Sequence, residues 1–156
     1  MSSVRRSLSI TAIGLFAVGA LGVGVSTGTA HASVSECVGG ANGFADIAYN
    51  KTGTVVSGKT VDLGGGRRAE LHTGTVAGFK RGWAIIRGTT KKGDRVWMDW
   101  TKTATRGGWM QCGPFTVQSD GLTNTSAAQK TSDDADYWFR ACGQIVGGAT
   151  KCGAWW

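Results

Sequence analysis

Asp94–Trp100 reads DRVWMDW. In an extended chain Val96, Met98 and Trp100 fall on one side and Arg95, Trp97 and Asp99 on the other. A strand with one apolar face needs a facing sheet, so the stretch points away from a single open sheet. Around it lie segments of the same kind: FADIAYN (Phe44 to Asn50), TVVSG, KTVDLG, RRAELH, GWAIIRG, GWMQCGPFTV, DYWFRACG and the final TKCGAWW. Each is short, and most are separated by Gly, Asp or Ser clusters. No long 3.6-residue period occurs. Only SDGLTNTSAAQKTSDDA leaves room for a helical turn or an ordered loop. The expected fold is all-β, a compact sandwich or barrel in preference to an α+β arrangement, with no internal repeat of solenoid or propeller length.

The four cysteines, Cys37, Cys112, Cys142 and Cys152, read first as two disulfides. None has C-x-x-C spacing, and His72 is the only histidine beyond the leader described below, so neither a redox motif nor a metal set is expected. If DYWFRACG and TKCGAWW form a hairpin closed at Val146, Gly147 and Gly148, Cys142 and Cys152 stand directly opposite each other. Gly148 is the expected left-handed residue of that loop. The favoured pairing is then Cys142–Cys152 with Cys37–Cys112.

Near the start, Arg5 and Arg6 precede an apolar run from Ile10 to Val25 and an Ala-His-Ala signature at Ala30 to Ala32, the pattern of an export leader of residues 1–32. The paired arginines also raise a twin-arginine route. Removing 32 of 156 residues leaves 124, a single domain: an N-terminal segment 33–50 tied down by Cys37, and a β-domain 51–156. A secreted, extracellular protein with no membrane span after leader removal is expected. Its charge would be +5, unevenly spread, because Lys51 to Arg106 carries 12 bases and 4 acids. That balance suits an anionic cell-envelope polymer better than nucleic acid, which is not expected as a partner.

Catalytic groups are sparse. His72 stands alone in AELHTG with Glu70 two positions away on the same face, and reads as a satisfied surface or edge residue. Glu36, Glu70 and Asp99 do not declare a glycosidase pair, no G-x-S-x-G occurs, and GGGRR at Gly64 to Arg68 is a wide turn, not a phosphate loop. Asp133, Asp134 and Asp136 form an acidic loop without the calcium-loop spacing. Asn50-Lys51-Thr52 and Asn124-Thr125-Ser126 carry the glycosylation pattern. No catalytic residue, cofactor or metal is expected.

What remains is surface. Seven tryptophans are too many for a core of this size, and parity separates Trp155 from Trp156 and Trp97 from Trp100. Trp100 is expected inside, with Trp97 and one of the terminal pair partly exposed beside Arg95 and Lys102. TTKKGDR at Thr89 to Arg95 reads as an exposed hairpin tip, either a plain solvated turn, a basic recognition loop or the bait loop of a protease inhibitor. The candidate binding residues are therefore Lys91, Lys92, Arg95, Trp97, Trp155 and Trp156.

The ending FRACG…KCGAWW and the overall layout resemble small exported β-proteins of actinomycetes. The secreted protease inhibitors of those bacteria are similar in size and carry two disulfides, but their C-x-C-P-type bait region is missing here. The chain is also similar in kind to the small adaptor subunits of umbrella toxin particles. Those are non-catalytic and join a trypsin-like lectin subunit to a large toxin subunit, with an N-terminal segment, here Ser33 to Asn50, that inserts into a partner. The resemblance implies a non-catalytic interaction module whose partner is another secreted protein. Protease inhibition and binding of glycan or envelope polymer are the alternatives.

Overall fold

The computed structural model describes residues 31–156, so the expected leader lies outside the described residues except for its last two. The described chain is all-β, with two single-turn 3-10 segments at Val34–Glu36 and Ala41–Gly43. The strands are β1 (His31–Ser33), β2 (Thr54–Gly64), β3 (Arg67–Val76), β4 (Phe79–Gly88), β5 (Arg95–Thr101), β6 (Met110–Thr116), β7 (Asn124–Thr125), β8 (Gln129–Lys130), β9 (Trp138–Gln144) and β10 (Lys151–Cys152). They form two sheets, ordered β1-β6-β5-β9-β10 and β2-β3-β4-β7, with β8 also on β4. Of the two expected forms the sandwich is the one adopted.

The inward period of DRVWMDW places the core. Val96, Met98 and Trp100 from β5, with Phe139 and Ala141 from β9, meet Ala69 and Leu71 from β3 and Ala84 and Ile86 from β4, all buried. Phe44 enters from the N-terminal side and meets the edge of Trp100 at a ring separation of 5.8 Å. Full burial of one such aliphatic side chain is worth about 1.5–3 kcal/mol, so this layer supplies most of the driving force for bringing the sheets together.

Both disulfides have the expected pairing. Cys142 lies opposite Cys152 in register, although the turn is wider than expected: the strands end at Gln144 and Lys151, and the bend is a β-turn in which the Gly148 amide donates to the Ile145 carbonyl. The left-handed residue is Gly147, at φ 72°, not Gly148, because a turn over Ile145–Gly148 puts its positive-φ position third. Cys37 and Cys112, 75 residues apart, are fully buried within the core.

Several strand boundaries differ from expectation. TVVSG and KTVDLG are one strand, β2, broken by an irregularity between Val55 and Thr60. Phe44–Asn50 is not a strand. Only Ala45 bridges, to Ala128, while the carbonyls of Ala48 and Tyr49 accept from the hydroxyls of Thr125 and Thr123. The segment wraps the β7 side of the second sheet, and the chain then crosses its outer face, where Gly53 passes over Trp83. A Cβ on Gly53 would stand 2.6 Å from that indole, so only glycine permits the crossing. Residues Ser119–Ala135 form an ordered loop containing β7 and β8.

The chain-entropy account sets the relative worth of the staples. Replacing Cys37 and Cys112 together by alanine is expected to lower unfolding stability by about 4 to 5 kcal/mol, and replacing Cys142 and Cys152 by about 3 kcal/mol. Guanidinium unfolding of the two double variants checks the order, and a larger loss from the short loop would contradict it.

Candidate interaction surface

Of the groups weighed for catalysis, Glu70, His72 and Asp99 are buried and hydrogen-bonded, while Glu36 is partly exposed and accepts from Asn42. Gly53 donates its amide to Nδ1 of His72 at 3.2 Å, so the ring hydrogen sits on Nε2 and is donated to Glu70, 2.7 Å away. His72 is buried, not the surface or edge residue expected, because the chain before β2 folds over it and over its neighbour Trp83. Glu70 also accepts from Nε of Arg68, and Arg87 stands 4.0 Å away. Burial pushes the Glu70 carboxyl up, but the hydrogen bonds from His72 and Arg68 and the Arg68 charge outweigh it and hold the group below its ordinary value.

Asp99 lies on the outward face of β5, yet it too is buried. Its Oδ2 accepts from Nε and Nη2 of Arg140, each at 2.7 Å, while Oδ1 has no partner among the described residues. Burial raises the Asp99 carboxyl above its ordinary value, and the Arg140 charge and hydrogen bond recover only part of the shift. Cys142 Sγ is 3.5 Å from Oδ2, a contact and not a hydrogen bond, since both this sulfur and that of Cys152 are spent in the disulfide and unavailable to a metal. Neither Asp99 nor the Glu70–His72 pair lines the hollows around Tyr49, Val146 or Trp156.

The six candidate binding residues fall in three places. Lys91, Lys92 and Arg95 belong to one end of the sandwich. TTKKGDR is not a hairpin tip there but the crossing from β4 in one sheet to β5 in the other. Buried Asp94 organises this end, accepting from the amides of Lys91 (2.8 Å) and Val146 (2.9 Å) and pairing with Arg67 at 3.3 Å. The backbone closes a β-turn, Asp94 N–H donating to Lys91 O at 3.0 Å. Exposed Asp120 accepts from the Lys92 amide and the Lys91 ammonium, which hold its carboxyl below the ordinary range. Arg95 borders a hollow with Ile145 and the exposed Val146.

Trp97 is not partly exposed. It is 94% buried because β5 is the central strand of its sheet and both its faces are covered. Trp97 lies opposite Cys142, and a Cβ on Gly113 would come within 2.8 Å of its own Cβ. Trp155 and Trp156 are each partly buried and point to opposite faces. Trp156 packs inward on Phe139 at 5.9 Å, and Trp155 lies outward under Arg140.

Around Trp155 is the most distinctive surface. The Arg140 guanidinium is 4.4 Å from the Trp155 ring and 5.3 Å from the Trp109 ring, and the two indoles meet edge to face at 6.5 Å. On the same face Arg106 covers Trp138 at 3.9 Å. Trp109, Trp138, Arg106 and Arg140 were not singled out from the sequence. A signal for two of them was present, since the alternation Trp138, Arg140, Cys142 puts all three on the face that the disulfide marks. Comparison with protein-family models, with curated proteins and with solved structures gives no match to the chain.

Glu70 and Asp99 predict opposite pH dependences. Glu70 is depressed on folding, so its stabilisation is present above the ordinary Glu range and is lost as pH falls through its folded value. Asp99 is raised, so the folded chain holds its proton longer and stability is lost as pH rises from the ordinary Asp range through its raised value. Glu70→Gln should therefore cost most near pH 7 and less toward about pH 3, whereas Asp99→Asn should cost more near pH 3 than near pH 7. Urea unfolding across that range reads both, and parallel curves for the two variants would refute the assignment.

Proposed function

We propose that the protein is a secreted, non-catalytic interaction module that contacts another secreted protein through the outer face of its first sheet. The observation that carries this reading is the arrangement of Trp109, Trp155 and Trp138 with Arg140 and Arg106 over one sheet face, drawn from β9, the β5–β6 connection and the segment after β10. Tryptophan and arginine are the residues most enriched at the energetic centres of protein interfaces, and their order before binding reduces the entropy lost on association. The two disulfides suit an oxidising, extracellular setting, and no helix among the described residues is long and apolar enough to cross a membrane. Burial of His72 and Glu70 beneath the chain supports the non-catalytic part.

An adaptor in a secreted toxin complex is the specific form that the resemblance implies. In this chain Ser33 to Asn50 is held by Cys37 and by the core position of Phe44, so an inserting arm drawn from it would be confined to the few residues before Cys37. Protease inhibition through Lys91 to Arg95 is less well supported. Its backbone is closed into a β-turn with Lys91 paired to Asp120, whereas a protease cleft takes an extended segment. Glycan or envelope-polymer binding is the second reading, favoured by the partly exposed indoles of Trp109 and Trp155.

Native size-exclusion chromatography with mass spectrometry on culture supernatant tests the proposal, with co-elution alongside larger secreted proteins as the expected result. Trp155→Ala should weaken that complex by at least about tenfold, roughly 1.4 kcal/mol. Arg106→Asn should weaken it too, since asparagine tolerates the left-handed backbone at φ 58° while removing the charge. Migration at monomer mass, together with saturable fluorescence quenching by glycans, would replace the proposal with the second reading.

A further inference from the structure

A hollow of about 230 Å3 opens where β9 begins, lined by Ser132, Asp133, Tyr137, Phe139 and Trp156. Its aromatic walls are fixed. Phe139 and Trp156 exchange backbone hydrogen bonds at 2.9 Å and pack ring to ring at 5.9 Å, and Tyr137 stands edge-on to Trp100 at 6.1 Å. The rim is acidic. Ser132 and Asp134 are used locally, the Ser132 hydroxyl accepting from the Asp134 amide and Asp134 Oδ1 from the Asp136 amide. The exposed Asp133 carboxylate accepts no hydrogen bond and joins no ion pair among the described residues, in a chain whose bases outnumber its acids.

Several aromatic rings outside the hollow are matched with cations. Arg106 covers Trp138, Arg140 covers Trp109 and Trp155, Lys102 approaches Trp100, and Lys130 sits 3.7 Å over Phe79. Tyr137 and Trp156 have no such partner among the described residues, and no lysine or arginine lines the hollow. An aromatic-walled hollow with an uncommitted carboxylate at its mouth suits a cation carried on an apolar stem. The ring faces attract the charge, the carboxylate neutralises it, and the stem packs against the indole.

We propose that this hollow takes the ammonium end of a lysine side chain presented by the partner protein. It rests on the interaction-module reading only for the source of the lysine. The contact lies around Trp156, separate from the Trp155 face across the same terminal segment, so a partner using both would grip the segment after β10 from two sides.

The experiment is an NMR titration of the 15N-labelled protein with Nα-acetyl-lysine methylamide, repeated with the norleucine analogue, which keeps the stem and lacks the charge, and with methyl glucoside. The expected result is saturable, millimolar-range movement of the Trp156 indole N–H and the Tyr137 and Phe139 amides. The norleucine derivative should bind at least about tenfold more weakly, and Asp133→Asn should weaken the lysine derivative about threefold. Asp133 is exposed, so that variant is expected to fold normally. Equal response to norleucine, no movement up to about 100 mM ligand, or tighter binding of the glucoside at these resonances would each overturn the proposal. Lysine binding here with no complex in culture supernatant would keep the ammonium site and overturn both the partner as its source and the functional reading beneath it.

Discussion

The structure depends on covering β5. A chain of this size has one interior layer, between the sheets, and that layer takes the inward side chains of the central strand. The outward residues Trp97 and Asp99 are equally buried, and only material laid over the sheet from outside can achieve that. On the first sheet the cover is Arg140 with Trp109 and Trp155, beside the Cys142–Cys152 bridge. On the second sheet the chain between Tyr49 and Gly53 does the same for His72 and Trp83. The first cover is adjacent in sequence to the Cys142–Cys152 disulfide, whereas the second is held by the hydrogen bonds that join Gly53 to His72 and Trp83 to Lys51. A cover held only by surface contacts would be the first part of the fold to open.

Covering has an electrostatic cost that the two sheets meet differently. Glu70 accepts from both His72 and Arg68, with Arg87 nearby, and its charged form is favoured. Asp99 has one cation for one of its two oxygens, so its charged form is disfavoured and Oδ1 is left without a partner. The compensation lies on the other side of the pair. By fixing the Arg140 guanidinium, Asp99 also fixes the indoles that stack on it, and a flexible arginine would leave Trp109 and Trp155 free to reorient.

The layer between the sheets could be read from residues, because burial between two sheets imposes a period of two, and Val96, Met98 and Trp100 obey it. The Cys142–Cys152 pairing was legible for a similar reason, since a hairpin converts sequence distance into register. The covers were not legible. Periodicity says which way Trp97 points and nothing about what lies beyond it, so an outward tryptophan read as exposed. Phe44–Asn50 read as a strand from its alternating composition, yet its carbonyls are satisfied by threonine hydroxyls instead of a neighbouring strand. Lys91, Lys92 and Arg95 were grouped with Trp155 and Trp156 on chemistry alone, and the sandwich places them at different sites.

The irregular middle of β2 also bears on how the molecule behaves among its own copies. This strand is the free edge of its sheet, eleven residues long, largely exposed and carrying Val55 at the surface. A straight edge of that length would offer a row of amides and carbonyls to any passing strand. Between Val55 and Thr60 the register breaks, and Lys59 from the same stretch donates to the carbonyl of Trp155 on the opposite sheet. The edge is therefore divided into two short pieces with a lysine turned across the gap. That geometry denies another chain a continuous template for pairing along the edge.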